Sequence, residues 1–258
     1  MTRRMLSILV VTLKSRRTLR EALLRSLAQQ AARFSDVEVC TEEDAGELPS
    51  GAKRNRLIHR CRGKYFAFVD DDDMVAPDYV ASLHGRCTRG PDVVTFRLLR
   101  RAGGGKEVQS LSIYNCDHRP LPDGTAGMHA NHLCAWKRTL GNRLCFPPIL
   151  GYNDDVFWYK GLLATGLVKS EIHVPRVLYE YRYDPRLTVN QQAPTVAATH
   201  QWAGPGIEYF RRGRRYYIAR EHKGRTANLT RVPVWDRHGN ERMLPRRKLA
   251  LFTTVRAQ

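Results

Sequence analysis

The chain has 258 residues, 42% of them hydrophobic and 26% charged, which suits one large domain, or a domain of about 200 residues with an appendage, and is ordinary for a globular protein. Its 43 Lys and Arg against 25 Asp and Glu leave a net charge of +18, so polyanions are the expected partners: nucleic acid, an anionic membrane face or phosphorylated substrates. No apolar stretch reaches the length of a membrane span, the N-terminal run lacks a small-residue cleavage site, and the six cysteines are scattered singly; together these predict reduced thiols in a cytoplasmic protein.

Residues 6–13 are a Leu, Ile and Val run that predicts a buried parallel strand. Thr18 with Glu21 makes a capping-box pattern, and Leu19, Ala22, Leu23, Leu27 and Ala31 recur along one face of the helix that follows. Residues 36–40 read as a second strand, followed by an acidic loop with Glu42, Glu43 and Asp44. A helix over residues 52–61 turns Leu57 and Ile58 inward and leads into a third, aromatic-rich strand, Tyr65 to Val69. Strand and helix alternate as in a parallel sheet with right-handed crossovers, so this opening part predicts half of an α/β nucleotide-binding domain.

That third strand ends in Asp70, Asp71, Asp72 and Asp73. Four adjacent carboxylates repel one another and have no cation close by in sequence. They fit the carboxyl edge of a strand, where a divalent metal neutralises them and where open α/β sheets bind ligands. A solvated acidic turn is the alternative, which the buried run before them and Pro77 after them disfavour.

Pro77 fits the first turn of a short helix through Val80 and Leu83. Residues 93–99 and 108–114 read as two strands joined through Gly103, Gly104 and Gly105, a turn without the spacing of a phosphate-binding loop. Residues 131–140 fit either a strand or a short helix. Asn153 can cap a helix with Asp154 and Asp155 in its first turn and Gly166 at its end, and the helix dipole alone would account for that acidic pair. Residues 168–183 predict an edge strand interrupted by Pro175. Cys116, His118, His129, His132 and Cys134 lie close together, but their spacing matches no common zinc pattern, and a loop whose histidines line an acceptor pocket or face solvent is the simpler reading.

Four stretches in order, SILVVTLKSRRTLREALLRSLAQQ, GAKRNRLIHRCRGKYFAFVDDDD, YNDDVFWYKGLLATG and LYEYRYDP, resemble the family 2 glycosyltransferases, whose nucleotide-sugar-binding fold is called GT-A. Val11 stands where that family commonly has Pro, and Leu13 and Lys14 replace its aromatic and polar pair. The resemblance implies a mixed, mostly parallel sheet flanked by helices over residues 1–190, with residues 191–258 as a basic C-terminal extension for the acceptor. It implies that Asp70 and Asp72 are the ends of a D-x-D motif, Asp70 on the ribose and uracil side and Asp72 on a Mn²⁺ or Mg²⁺ ion at the diphosphate, with Asp70 also counted as a metal ligand. Asp71 joins the donor-binding set and Asp73 shapes the turn. Thr12 and the acidic loop border the base, Glu42 being the nearest match, although sequence does not separate it from Glu43 and Asp44. Lys53 and Arg54 lie in a helix expected to contact the nucleotide. Asp155 matches the catalytic base.

The expected reaction is therefore metal-dependent, inverting transfer of a sugar from a UDP-sugar to a hydroxyl. Such a metal stabilises the departing diphosphate, and one carboxylate takes the acceptor's proton. The acceptor must be read from charge. Residues 200–258 hold 14 Lys and Arg against 4 Asp and Glu, with aromatics interleaved, the footprint of a protein that tracks a phosphate backbone. A hydroxymethylated base in DNA is the favoured acceptor, as for the DNA-modifying glycosyltransferases of bacteriophages. Arg211, Arg212, Arg214 and Arg215 are then expected on phosphates, Trp202 or Tyr216 stacked on a base, and Asp154 on the acceptor side. A surface polysaccharide or lipid-linked glycan is the alternative acceptor, and a two-metal nuclease or phosphotransferase the competing chemistry.

Overall fold

The computed structural model describes residues 4–115, 117–147, 154–184, 207–212, 215–220, 230–235, 241–248 and 250–255. The apolar run near the N-terminus forms β1 (Leu6–Leu13), whose Leu6, Ile8, Leu9 and Val10 are fully buried. A short 3-10 turn then leads into α1 (Arg17–Ala31). This helix begins one residue before Thr18 and has no side-chain cap, so the predicted capping box does not form. β2 (Val37–Asp44) runs straight through the acidic stretch expected to be a loop, because pairing with β1 continues to Leu13 opposite Asp44. After α2 (Ser50–Arg60), β3 (Tyr65–Asp70) pairs with β1 in parallel and ends at the first aspartate.

The remainder completes one ten-stranded sheet. β4 (Met74–Val75) and α3 (Tyr79–Cys87) follow the aspartates, and β5 (Val93–Ala102) and β6 (Gly105–Ser112) form the predicted hairpin. β7 (Arg119–Pro120) and β8 (Ala126–His129) extend that edge. Residues 131–140 contain both expected elements, β9 (Ala135–Lys137) and the start of α4 (Arg138–Gly141). β9 fills the gap between β3 and β5, antiparallel to both. α5 (Asp154–Ala164) precedes β10 (Glu171–Arg182), which is parallel to β5 and antiparallel to β4, with its register broken around Pro175 where the ladder loses a donor. The expected edge strand is thus paired on both sides.

An aromatic layer sets where α5 begins. Trp158, one turn into the helix, is fully buried, stacks on Phe146 at 4.5 Å and meets the edges of Trp136 and Phe66, while its indole N–H donates to the Leu144 carbonyl at 3.0 Å. Burying that much apolar area fixes the first turn of α5 beside the carboxyl end of β3. Gly51, in the first turn of α2, allows the same approach from a third direction: a Cβ there would lie 2.3 Å from the Pro147 carbonyl oxygen and 3.2 Å from an Asp154 carboxylate oxygen.

The C-terminal part, from which the pattern predicted no regular structure, holds a second sheet of five strands ordered β14-β13-β12-β11-β15. These are β11 (Ile207–Arg212), β12 (Arg215–Arg220), β13 (Arg231–Trp235), β14 (Glu241–Pro245) and β15 (Ala250–Val255). Among the described residues no helix is long and apolar enough to cross a membrane.

Candidate active site

The four aspartates after β3 meet four different environments. Asp71 is buried, accepts from the Thr12 hydroxyl at 2.7 Å and pairs with Arg16 at 2.6 Å. Asp73 is buried too, accepting from the Tyr179 hydroxyl at 2.7 Å and from the Arg182 backbone N–H at 2.8 Å; burial and the charge of Asp70 push its carboxyl well above the usual range. The Tyr179 oxygen in turn accepts from the Asp70 backbone N–H at 3.0 Å, so one phenol ties the two ends of the turn together. Asp70 keeps an exposed edge and pairs with Arg54 at 3.2 Å and His132 at 3.3 Å. Although burial opposes it, those two cations hold Asp70 below the usual carboxylate range.

Asp72 is the exception. Among the described residues its closest cation is Arg16 at 3.5 Å, already committed to Asp71, and burial together with the charges of Asp70 and Asp71 pushes its carboxyl up to about 6. The sequence places no cation near these acids, yet folding brings Arg16, Arg54 and His132 from distant positions to Asp71 and Asp70. The charge left over sits on Asp72. A hard divalent cation binds carboxylate oxygen, and an under-compensated, partly exposed carboxylate is a fitting ligand for one. Among the described residues no group of three or more His, Cys, Asp or Glu converges to hold a metal, so the protein offers one or two oxygens and not a complete cage.

Arg54 joins this turn to α5. It is buried over the rings of Phe68 and Phe146, donates to Asp154 at 2.6 Å and reaches Asp70 with its other amino group. Burial works against its charge, but Asp154, Asp70 and Asp155 more than reverse that and hold its pKa above the ordinary value. His132 makes a second bridge: Nε2 faces Asp70 and Nδ1 lies 3.0 Å from an Asp155 oxygen, an ion-pair distance that is off the line a hydrogen bond requires. Burial and Arg54 lower the imidazole pKa, whereas Asp70 and Asp155 override them and raise it to about 9. The imidazolium, with Arg54, keeps Asp155 ionised and below the usual carboxylate range in spite of burial.

Asp70, Asp72 and Asp155 therefore belong to one partly open acidic edge, as expected, and the other assignments shift. Asp154, expected on the acceptor side, is 3% exposed and held by Arg54, so it is an internal anchor. Arg54 and Lys53, expected on the nucleotide, are both buried; Lys53 spans from the Thr12 carbonyl at 3.1 Å to Asp44 at 2.6 Å. The three acids of β2 are separated by their partners. Glu42 pairs with Arg60 and Arg56 of α2, Glu43 with Arg20 of α1, and Asp44 with Lys53 beside the end of β1. Glu43 thus stands opposite Thr12 and shares Arg20 with its hydroxyl, Asp44 reaches the Thr12 carbonyl through Lys53, Glu42 is turned to α2, and the Thr12 hydroxyl donates to Asp71.

Among the described residues the Cys and His cluster does not converge. His129 is bonded to Asp117 at 2.8 Å, Cys134 is buried, His118 is exposed, and Cys116 lies outside the described residues. Trp202 and Arg214 also lie outside them. For Arg211, Arg212, Arg215 and Tyr216 the structure describes backbone alone, where Arg211 pairs with Tyr216 and Arg212 with Arg215 at the end of the β11–β12 hairpin. Arg16 and Tyr179 were missed as site residues and His132 was named only within the Cys and His cluster, since each acts across a long sequence separation that no local pattern marks. The Y-x-Y-R ending of β10 and that cluster were the signals that touched them.

The sequence profile of Glycosyl transferase family 2 matches residues 21–159, which runs from within α1 to the middle of α5 and takes in every acid of this edge. Among solved structures, S. aureus TarS residues 1–349 align with a TM-score of 0.50 and 16% identity, over 69% of this chain and 60% of that one. A second S. aureus TarS structure aligns with a TM-score of 0.51 and 17% identity, over 70% of this chain and 37% of that one. The chain thus spans less than two thirds of the TarS chains it matches, and the likeness is one of fold. No curated protein matches the sequence.

Proposed function

Because the chain belongs to glycosyl transferase family 2, we propose that it transfers a sugar from a UDP-sugar to a hydroxyl acceptor with inversion at the anomeric carbon. A two-metal nuclease is set aside by that membership. The observation that carries the proposal is the division of labour at the acidic edge: Asp72 has charge to spare, while Asp155 is held ionised on the neighbouring helix. In this reading the acceptor oxygen attacks C1 as the bond from C1 to the diphosphate oxygen breaks. The nucleoside diphosphate leaves with the electron pair, and the acceptor's proton passes to Asp155. Asp72 and the open edge of Asp70 would hold a Mn²⁺ or Mg²⁺ ion, which would supply charge neutralisation for the departing diphosphate. The acids at the end of β2 border the base.

For the acceptor we favour a hydroxymethylated base in DNA, supported by the +10 net charge of residues 200–258 and by the hairpin that places Arg211, Arg212, Arg215 and Tyr216 at one end of the second sheet. The test is incubation with UDP-glucose or UDP-N-acetylglucosamine and Mn²⁺, with normal or hydroxymethylated DNA, followed by mass spectrometry of the digested nucleosides. A glycosylated nucleoside from the hydroxymethylated DNA alone is expected. UDP release without any modified nucleoside would leave the transferase and refute the DNA acceptor, turning the search to glycans. Retention in the product linkage would refute Asp155 as a base for direct displacement.

A further inference from the structure

His132 is 6% exposed, and the reaction as written leaves it without a part. It comes from the short segment between β8 and β9, and its imidazole sits between the two carboxylates that bracket the reaction: Nε2 is 3.3 Å from an Asp70 oxygen on the donor side, and Nδ1 is 3.0 Å from Oδ2 of Asp155. Arg54, 3.4 Å from Nε2, and the Phe68 ring, 6.3 Å between centroids, close the other sides. An imidazole chosen for packing alone would not turn both nitrogens to acids, because an apolar side chain of the same size fills that volume without the cost of burying a polar ring. Among the described residues Oδ1 of Asp155 has no polar partner, whereas Oδ2 has His132.

We propose that His132 is a positioning residue for the transfer. Through Nδ1 it holds Oδ2 of Asp155, so that Oδ1 is the oxygen offered to the acceptor hydroxyl, and through Nε2 it ties the base to the donor-side Asp70. This rests on the reading of Asp155 as the base. The off-line approach of Nδ1 is the loose geometry expected of a site without substrate, which tightens when the reacting groups are bound. A base whose carboxylate is free to rotate loses rate without losing donor, since misplacement of about 1 Å can cost 10²-fold in turnover.

Two amide substitutions separate the two contacts, because the side-chain nitrogen of Asn falls near Nδ1 and that of Gln near Nε2. The readout is UDP released from UDP-glucose or UDP-N-acetylglucosamine with Mn²⁺, water serving as acceptor, with the melting temperature of each variant recorded. His132→Gln and His132→Phe are expected to lower kcat about 10- to 100-fold while donor KM stays within about threefold, and His132→Asn to recover at least about tenfold of that loss. Equal kcat losses in all three, or a loss confined to donor KM, would overturn the assignment. Wild-type protein that releases no UDP from either donor counts against these two UDP-sugars as donors instead. His132 is then decided by crystal structures of wild type and His132→Phe: one Asp155 rotamer in the first and several in the second support it, and the same rotamer in both overturns it.

Discussion

The end of β3 and the first turn of α5 each present acids in series, and the two clusters differ in how their charge is balanced. In α5, Asp154 is covered and clamped by Arg54 while Asp155 faces His132, so each acid meets a cation, and both cations are shared with Asp70. After β3, Asp71 and Asp73 are covered and tied down, Asp70 is paired twice, and Asp72 is left with a share of Arg16. In both, a buried acid fixes the backbone and its neighbour is available for chemistry. The balanced cluster holds a ready carboxylate, as a base requires; the unbalanced one holds a charge that a cation arriving with the diphosphate can satisfy.

The largest expected effect comes from the chemical member of the balanced pair. Asp155→Asn should lower kcat by about 10²- to 10⁴-fold, with donor affinity by titration calorimetry little changed. An equal fall in donor affinity would move Asp155 to the donor side. Next is the clamp. Arg54→Leu leaves Asp154 buried, and Asp70 half-buried, without their guanidinium and should destabilise the protein by about 3–5 kcal/mol in urea unfolding. A loss near zero would mean that the two clusters do not share Arg54 in solution. Tyr179→Phe removes the hydroxyl that donates to Asp73 and accepts from the Asp70 N–H, and the same measurement should show a smaller cost of about 1–3 kcal/mol.

How much of this was legible in the sequence follows from the range of each interaction. The strands β1 and β3, the helices α1, α2 and α5, and the β5–β6 hairpin are written in local periodicity and turn residues, and they stand close to where they were expected. Local rules failed where tertiary pairing overrode them: β2 continues through three acids because β1 offers a partner for each, and the Thr18 capping pattern is bypassed by a helix that starts earlier. The acids of the site were readable because they lie side by side. Their partners were not, since Arg16, Arg54, His132 and Tyr179 reach them from elsewhere in the chain, and only the fold says which acid each will meet. That is why Glu42, Glu43 and Asp44 could not be told apart and why Asp154 was placed on the acceptor.

The last prediction concerns the one acid left without full compensation, and here stability and function should part. Asp72 is raised to about 6, principally by burial and then by the charges of Asp70 and Asp71. A carboxyl whose pKa is higher folded than unfolded binds its proton more tightly in the native state, so the contribution of Asp72 to wild-type stability should fall as pH rises from about 4, the unfolded value, through about 6. Asp72→Asn removes the ionisation and with it that fall. In the presence of a chelator the variant should therefore be more stable than wild type at pH 7, by about 1–2 kcal/mol, and the difference should vanish below about pH 4. The same substitution should abolish the Mn²⁺-dependent part of donor binding. A variant less stable than wild type at pH 7 would show that Arg16 already satisfies Asp72, and the imbalance between the two clusters would not exist.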